Sequence, residues 1–351
     1  MSLSELETPC VLIDLDRVEA NLRRAQDEAD RLGLNFRPHI KTHKLPRFAR
    51  RQVELGARGI TVQKLGEAEV MADAGLSDIF LPYNIMGASK LARLRALNER
   101  ATIAVTADSP ETVAGYARAF ADDRPLTVLV ECDTGMGRCG VQTPAQALAL
   151  ARQVVLAPGL RFGGLMTYPA AGKRDAAEAW LADAKATLEQ AGIACPVISS
   201  GGTPDLYRGH AGSVVTEYRP GTYIYNDRMQ VKFGAASWND CALTVLATVV
   251  SRPTPTRAVL DAGSKALSSD TGGLEGFGRI VGYETATIRN LSEEHGVAEL
   301  PAASDLPGIG ETVRIIPNHA CVVSNLFDEV HLIRGDTLVE TVRVAARGKV
   351  Q

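Results

Sequence analysis

The sequence predicts an α/β protein: a (β/α)8 barrel of the TIM type joined to a second, mostly antiparallel β domain. Eight short apolar segments of strand length alternate with helical patterns between residues 36 and 217. Strict alternation of strand and helix means parallel strands linked by right-handed crossovers, and eight such units close a barrel. Beyond residue 233 the pattern changes to short β-branched runs broken by Pro and Gly, with no helical period among them. An open, doubly wound sheet is the alternative for the first part, and the short third strand keeps it open.

Taken in order, the first run is 10–14 (CVLID), which precedes the barrel count and is expected to join the β domain. Barrel strands are expected at 36–38, 59–62, 79–81, 102–105, 126–131, 162–166, 197–199 and 214–217. Helical patterns fall between them at 45–55, 65–74, 89–98, 110–120, 144–155 and 175–191. Several open on Ser, Asp or Thr-Pro, which either satisfy the unpaired N–H groups of a helix start or remove one. The β domain reads as 242–250 (ALTVLATVV), 258–260, 311–316 and 330–333. This sets the barrel at 15–233 and the β domain at 234–351, with strand 1–14 added to it.

Composition excludes several function classes. A chain of 351 residues, 45% hydrophobic and 23% charged, buries a substantial core in one large or two medium domains. With a net charge of -3 there is no basic field to hold a nucleic-acid backbone, so no nucleic-acid partner is expected. The amino terminus shows no positive segment leading an apolar one, and no apolar run approaches a membrane span. The chain is therefore read as cytoplasmic, without a membrane partner. Its six cysteines form no CxxC pair, which speaks against a disulfide scaffold or a zinc knuckle.

The chemistry gathers at the strand ends, where a parallel barrel places its active site. Arg37-Pro38-His39-Ile40-Lys41-Thr42-His43-Lys44 sets Lys41 at the end of the first barrel strand or in the loop after it. Neighbouring Arg37, Lys44 and the two histidines would depress the amine's pKa and favour attack on a carbonyl. Read alone, the same octapeptide also suits a solvated or phosphate-binding face. Asp133-Thr134-Gly135-Met136-Gly137-Arg138 follows the fifth strand and brings Arg138 over the mouth; Tyr168 stands at the end of the sixth. Ser199-Ser200-Gly201-Gly202-Thr203-Pro204 ends the seventh, and Arg219-Pro220-Gly221-Thr222-Tyr223 follows the eighth. Glycine N–H groups in these last two loops suit a phosphate dianion, although each is also an ordinary tight turn. A phosphate site, a lysine and a flat aromatic group together describe a pocket for pyridoxal 5'-phosphate.

Here the chain resembles a known family. The alternation, the lysine at strand one, and the pieces DTGMGRCG, SSGGTP and RPGTY are similar to the fold-type III pyridoxal-phosphate enzymes, the group of alanine racemase. The runs RPHIKTHK, LDAGSKALSSD and PNHACVVSNLFDEV narrow the resemblance to the D-threonine aldolase and D-serine dehydratase family, from Thr8 to about Val330. It implies that Lys41 is the Schiff-base lysine and the base at the substrate α carbon. It implies further that Arg138 approaches the phenolic oxygen, that Tyr168 lies beside the ring, and that Gly201, Gly202, Thr203, Gly221 and Thr222 hold the phosphate. The resemblance also matches Arg219 to the residue facing the pyridine nitrogen, where a positive charge would weaken the electron sink. His43 reads as a second acid or base, or as a contact that orients the cofactor.

His319-Ala320-Cys321 supplies the remaining part. Two apart on an extended segment, the side chains would point to one face, and imidazole with thiolate suits zinc. Alone, such a pair reads more readily as a buried cysteine beside a loop histidine. Within the resemblance it is the metal site, for a divalent ion with zinc favoured and manganese or magnesium as alternatives. Dehydratases of the family resemble this H-x-C pattern whereas several aldolases have H-x-D, so Cys321 points to dehydration of a β-hydroxy-D-amino acid. Retro-aldol cleavage to glycine and an aldehyde is the first alternative, an amino-acid racemase or a non-catalytic pyridoxal-phosphate protein the second. A homodimer is expected, and Asp261 and Lys265 are candidates to line the active-site entrance from the β domain of the same or the partner subunit.

Overall fold

The computed structural model describes residues 3–120, 124–210, 212–299 and 307–351. In chain order its elements are β1 (Cys10–Asp14), α1 (Leu15–Arg31), β2 (Asn35–Phe36), α2 (Pro46–Glu54), β3 (Ile60–Thr61), α3 (Leu65–Asp73) and β4 (Asp78–Leu81). They continue through α4 (Ala88–Arg100), β5 (Thr102–Ala107), α5 (Pro110–Ala119), β6 (Leu126–Cys132), α6 (Pro144–Leu156), β7 (Leu160–Thr167), α7 (Arg174–Gln190), β8 (Val197–Ser200) and β9 (Glu217–Tyr218). After α8 (Arg228–Lys232) come β10 (Leu243–Thr254), β11 (Arg257–Leu260), α9 (Ser264–Leu267), β12 (Arg279–Ile280), β13 (Thr287–Leu291) and β14 (Gly296–Glu299). The last are β15 (Thr312–Ile316), α10 (Ala320–Leu326), β16 (Glu329–Arg334) and β17 (Thr337–Arg343). The chain divides into two units: Arg24–Lys41, Leu45–Gly221 and Lys349–Gln351 in one; Met1–Arg23, Thr42–Lys44 and Thr222–Gly348 in the other.

In the first unit eight parallel strands follow the order β2-β9-β8-β7-β6-β5-β4-β3. The two ends of that path meet in a parallel bridge between His39 and Thr61, where the Thr61 N–H donates to the Pro38 carbonyl at 2.8 Å. The sheet therefore curls into a barrel, and the doubly wound alternative is excluded. Strands buried on both faces need continuous apolar runs, as in β6 (LTVLVEC), where every residue but Thr127 is buried. Phe80, Leu129 and Met166 from three of these strands pack into one cluster. Helix starts follow the expected chemistry: Thr143 Oγ1 accepts from the Gln146 N–H at 3.2 Å while the Gln146 side chain returns to the Thr143 N–H, with Pro144 at the first turn.

The second unit is a sheet in the order β13-β14-β11-β10-β1-β16-β17, with β15 pairing β10 and β12. Its pairings are antiparallel apart from β1 with β16. The early run CVLID thus lies between two strands from the far end of the chain.

Two expectations are corrected. Helix α1 was not anticipated from the sequence, because its seventeen residues are strongly charged; its buried stripe, Val18, Leu22, Ala25 and Ala29, still keeps the helical period. The region after residue 233 was expected to hold no helix, yet it contains α9 and α10. At four and seven residues both are too short for a period to register, and α10 carries two adjacent valines that read as strand.

Candidate active site

Each rim residue foreseen in the barrel lies just beyond the carboxyl end of its strand. Lys41 sits in a single 3-10 turn, Ile40–Thr42, after β2, and is partly exposed. Its backbone N–H approaches His39 Nδ1 at 3.4 Å, and His39 Nε2 meets Gln63 Oε1 at 3.0 Å. The cation field expected around the amine is corrected in one respect. Arg37 spends its guanidinium on Glu217 Oε2 at 2.7 Å and Asp78 Oδ1 at 2.6 Å, so its charge is met by two carboxylates.

After β6 the loop folds around Asp133, whose Oδ1 accepts the N–H groups of Gly135, Met136 and Gly137 at 2.9 to 3.0 Å. Burial acts to raise the carboxyl pKa, but these amide donors outweigh it and hold it below the ordinary value. The loop presents Arg138 to solvent with its guanidinium 5.2 Å from the centroid of the Tyr168 ring. After β8, Gly201 takes a left-handed φ of +94°, and a Cβ there would run into the Tyr218 ring. A Cβ on Gly202 would press on Tyr168 at 3.0 Å. Glycine is needed at both places because aromatic rings close against the backbone. Thr203, buried, opens a short 3-10 helix directly after Gly202.

Arg219 is enclosed, donating to Ser199 Oγ at 2.7 Å and to the Thr167 carbonyl at 2.5 Å. Ser199 passes its own proton to Glu217 Oε1 at 2.6 Å. Asp78, Arg37, Glu217, Ser199 and Arg219 thus form one continuous polar chain beneath the rim. Burial pushes the Arg219 pKa down to about 10, against the attraction of Glu217 and Glu131. Pro220, between Arg219 and Gly221, accepts the His39 N–H at 2.9 Å, which ties the loop after β9 to the loop carrying Lys41.

In the second unit the HxC pair differs from its expected local structure. His319 is extended (φ -137°, ψ 101°) and caps α10, while Cys321 lies inside that helix. The two side chains nonetheless act on each other, Cys321 favouring the charged imidazole. His319 Nδ1 is 2.6 Å from Asp270 Oδ2. Burial would lower the imidazole pKa, but Cys321 and Asp270 outweigh it and bring it up to about 10. Cys321 Sγ shares hydrogen bonds with Thr42 Oγ1 at 3.1 Å and Thr222 Oγ1 at 3.4 Å. Asp227, wholly buried and raised to about 6 by that burial, accepts the Ala320 N–H at 2.9 Å and the Gln230 N–H at 3.0 Å. His43 is fully enclosed.

Sequence reasoning missed Asp270, Asp227 and the Ser199–Glu217 relay; Asp270 was present only as the last letter of LDAGSKALSSD. The two residues it singled out in that run each have a protein partner. Asp261 accepts from Thr8 Oγ1 at 2.5 Å and from the Thr248 N–H at 2.8 Å, while exposed Lys265 pairs with Glu294 at 2.5 Å. Among the described residues, no third His, Cys, Asp or Glu gathers with the pair into a three-ligand group.

The geometry agrees with comparison to known proteins. The family model described as alanine racemase, N-terminal domain, matches residues 13–229, and the putative serine dehydratase domain matches 242–333. Together they define the class, an alanine-racemase-type barrel with a dehydratase-type second domain. The chain is 36% identical to D-threonine aldolase of an Arthrobacter species, over 99% of this chain and 94% of that enzyme. It is 32% identical to D-threo-3-hydroxyaspartate dehydratase of a Delftia species, over 97% of each. The crystal structure of D-threonine aldolase from Filomicrobium marinum superposes with a TM-score of 0.92 at 32% identity, covering 100% of this chain and 98% of that one. The chain belongs to the D-threonine aldolase and D-serine dehydratase family, and is a pyridoxal-phosphate-dependent lyase. No helix among the described residues is long and apolar enough to cross a membrane.

Proposed function

We propose that this protein eliminates water from β-hydroxy-D-amino acids in the manner of a D-serine or D-threonine dehydratase, using pyridoxal 5'-phosphate and a divalent ion. The observation that carries the reading is the His319–Cys321 pair: an imidazole held by a carboxylate on one nitrogen, and a thiol flanked by two hydroxyls. Imidazole and thiolate form a donor set that fits zinc before manganese or magnesium, with positions left for water and substrate. The barrel rim suits the cofactor by its residue types, with a lysine, an arginine over an aromatic ring, and two adjacent glycines with no side chain of their own, each at a strand end. When bound, pyridoxal phosphate supplies an electron sink for charge at the substrate α carbon, and the ion a Lewis acid for the β-hydroxyl.

The chain's own residues do the rest. Lys41 holds the cofactor through its amine and moves the α proton. Gly201, Gly202, Thr203, Gly221 and Thr222 would hold the phosphate, Arg138 would meet the phenolic oxygen, Tyr168 would stand beside the ring, and Arg219 would serve the pyridine nitrogen. Arg219 is pinned by Ser199 and Thr167, and a charge held at that nitrogen would weaken the electron sink and call for help at the leaving group. His319 and Cys321 hold the ion that gives it. Complete burial of His43 favours an orienting role over contact with substrate. A homodimer in the cytoplasm completes the reading.

Retro-aldol cleavage is the second reading, favoured by the 36% identity to an enzyme named D-threonine aldolase. Incubation of the holoenzyme with D-threonine separates the two. Elimination gives 2-oxobutanoate and ammonia, whereas cleavage gives glycine and acetaldehyde. Turnover should stop on chelation and be absent with L-threonine; glycine as the main product would overturn dehydration in favour of cleavage.

A further inference from the structure

A neutral imidazole offers one donor nitrogen and one lone pair, and whatever occupies the first decides where the second points. In His319 the Asp270 carboxylate stands 2.6 Å from Nδ1, so when the ring gives up a proton to take an ion, the proton that stays is the one on Nδ1 and the lone pair is on Nε2. Asp270 is itself held from several sides. Its Oδ1 accepts the Gly272 N–H at 3.0 Å, its own N–H donates to Ser268 Oγ at 3.1 Å, and Ser268 keeps a left-handed φ of +66° to make that turn. The fully buried Asn318, which directly precedes His319, donates to the Asp270 carbonyl at 3.4 Å and the Gly276 carbonyl at 2.8 Å. Its own oxygen is fixed by Arg228 Nη1 at 2.6 Å. One buried amide therefore ties the main chain beside the imidazole to the main chain that carries the carboxylate.

We propose that Asp270 is the positioning residue of the metal pair: it keeps the proton of His319 on Nδ1 and turns Nε2 towards the ion, without ligating the ion itself. The proposal rests on the metal reading above. Outer carboxylates of this kind fix a ligand's tautomer and raise its basicity, and their loss typically weakens metal binding 10- to 100-fold. A non-Gly residue holding a positive φ beside the carboxylate, at Ser268, is a feature that persists only where the surroundings demand it.

Zinc titration of the metal-stripped, cofactor-loaded enzyme against a chromophoric competitor tests this without any substrate. Asp270→Ala should lose about 10- to 100-fold in zinc affinity. Asp270→Asn, which still accepts from Nδ1 but lacks the charge, should fall between it and the wild type, and Asp270→Glu should recover part of the loss. With cobalt in place of zinc, the visible d–d bands should move in Asp270→Ala while the cofactor's absorbance and the thermal midpoint stay in place. A purely structural role would not sort the variants by their donor chemistry. Equal affinity in wild type, Asn and Ala variants overturns the role of Asp270 alone; so does an Ala variant that merely unfolds beside a folded Asn variant binding as wild type. A wild type that takes up no divalent ion overturns the metal reading and this inference with it.

Discussion

Thr42 Oγ1 lies 3.1 Å from Cys321 Sγ, although 279 residues separate them in sequence. The contact exists because the three residues Thr42–Lys44 belong with the β-rich unit rather than with the barrel strands on either side of them. It is fastened a second time where Ser324, one turn further along α10, donates its hydroxyl to the Thr42 carbonyl. Once the sulfur is a thiolate, the form a metal needs, only the hydroxyl can donate in this contact, and the bond then favours that form.

Replacing Thr42 by Val keeps the buried volume and removes that donor. A hydrogen bond donated to a charged group stabilises that charged form, so the Cys321 thiol should titrate higher in the metal-stripped protein once the donor is gone. Alkylation rate against pH, followed by peptide mapping to keep exposed Cys139 apart, reads the shift. An unmoved midpoint would mean that Thr42 only packs against the sulfur.

Lys41 should carry the cofactor. Borohydride reduction of the yellow holoenzyme is expected to fix label on the peptide containing Lys41, and Lys41→Ala should lower turnover by several orders of magnitude. Nearby Lys44 makes a poor competitor, being buried with its Nζ 3.5 Å from the Ala346 carbonyl, and Lys265 is engaged by Glu294. Label on either of those lysines would require the roles to be reassigned.

Gly201→Ala should cost more than a backbone penalty. A left-handed φ in a non-Gly residue costs about 1–2 kcal/mol, and here the added methyl also meets the Tyr218 ring. Gly212, at φ +85° with nothing within 4 Å of its would-be Cβ, isolates the backbone part. Thermal unfolding of the two variants should therefore place Gly201→Ala lower, and only that variant should lose cofactor on dialysis. Matching melting points and equal cofactor retention would remove Gly201 from the phosphate-binding set.

Much of this was legible because barrels advertise themselves locally. Strand ends, helix caps and the glycine loops each depend on residues within about one turn of one another, so Lys41, Arg138, Tyr168 and the Gly201–Gly202 pair could be placed from spacing alone. Partners supplied by tertiary structure could not. Asp270 stands 49 residues before His319, and Glu217 reaches Arg37 across 180 residues, with no periodic pattern linking either pair. The basic octapeptide misled for the same reason, since the carboxylates that neutralise Arg37 come from β4 and β9. At His319 and Cys321 the local geometry was not legible: two valines hid a helix of seven residues.

The loop that carries Arg138 should be sensitive to acid. Asp133 holds three successive N–H groups on one oxygen, with Gly135 and Gly137 both at positive φ, so the loop's shape depends on an ionised acceptor. Because its folded pKa lies below the ordinary 3.8, the folded state binds fewer protons there than the unfolded chain. The stabilisation is therefore present above about 3.8 and is lost as the pH falls through the lower, folded value. Asp133→Asn keeps an acceptor oxygen but no charge. The gap in thermal midpoint between wild type and this variant should be steady from pH 7 to about 5 and shrink as the pH approaches 3, with binding of the cofactor weakening over the same interval as Arg138 loses its place above Tyr168. A gap that ignores pH, or widens on acidification, would show that the charge on Asp133 does not hold the loop.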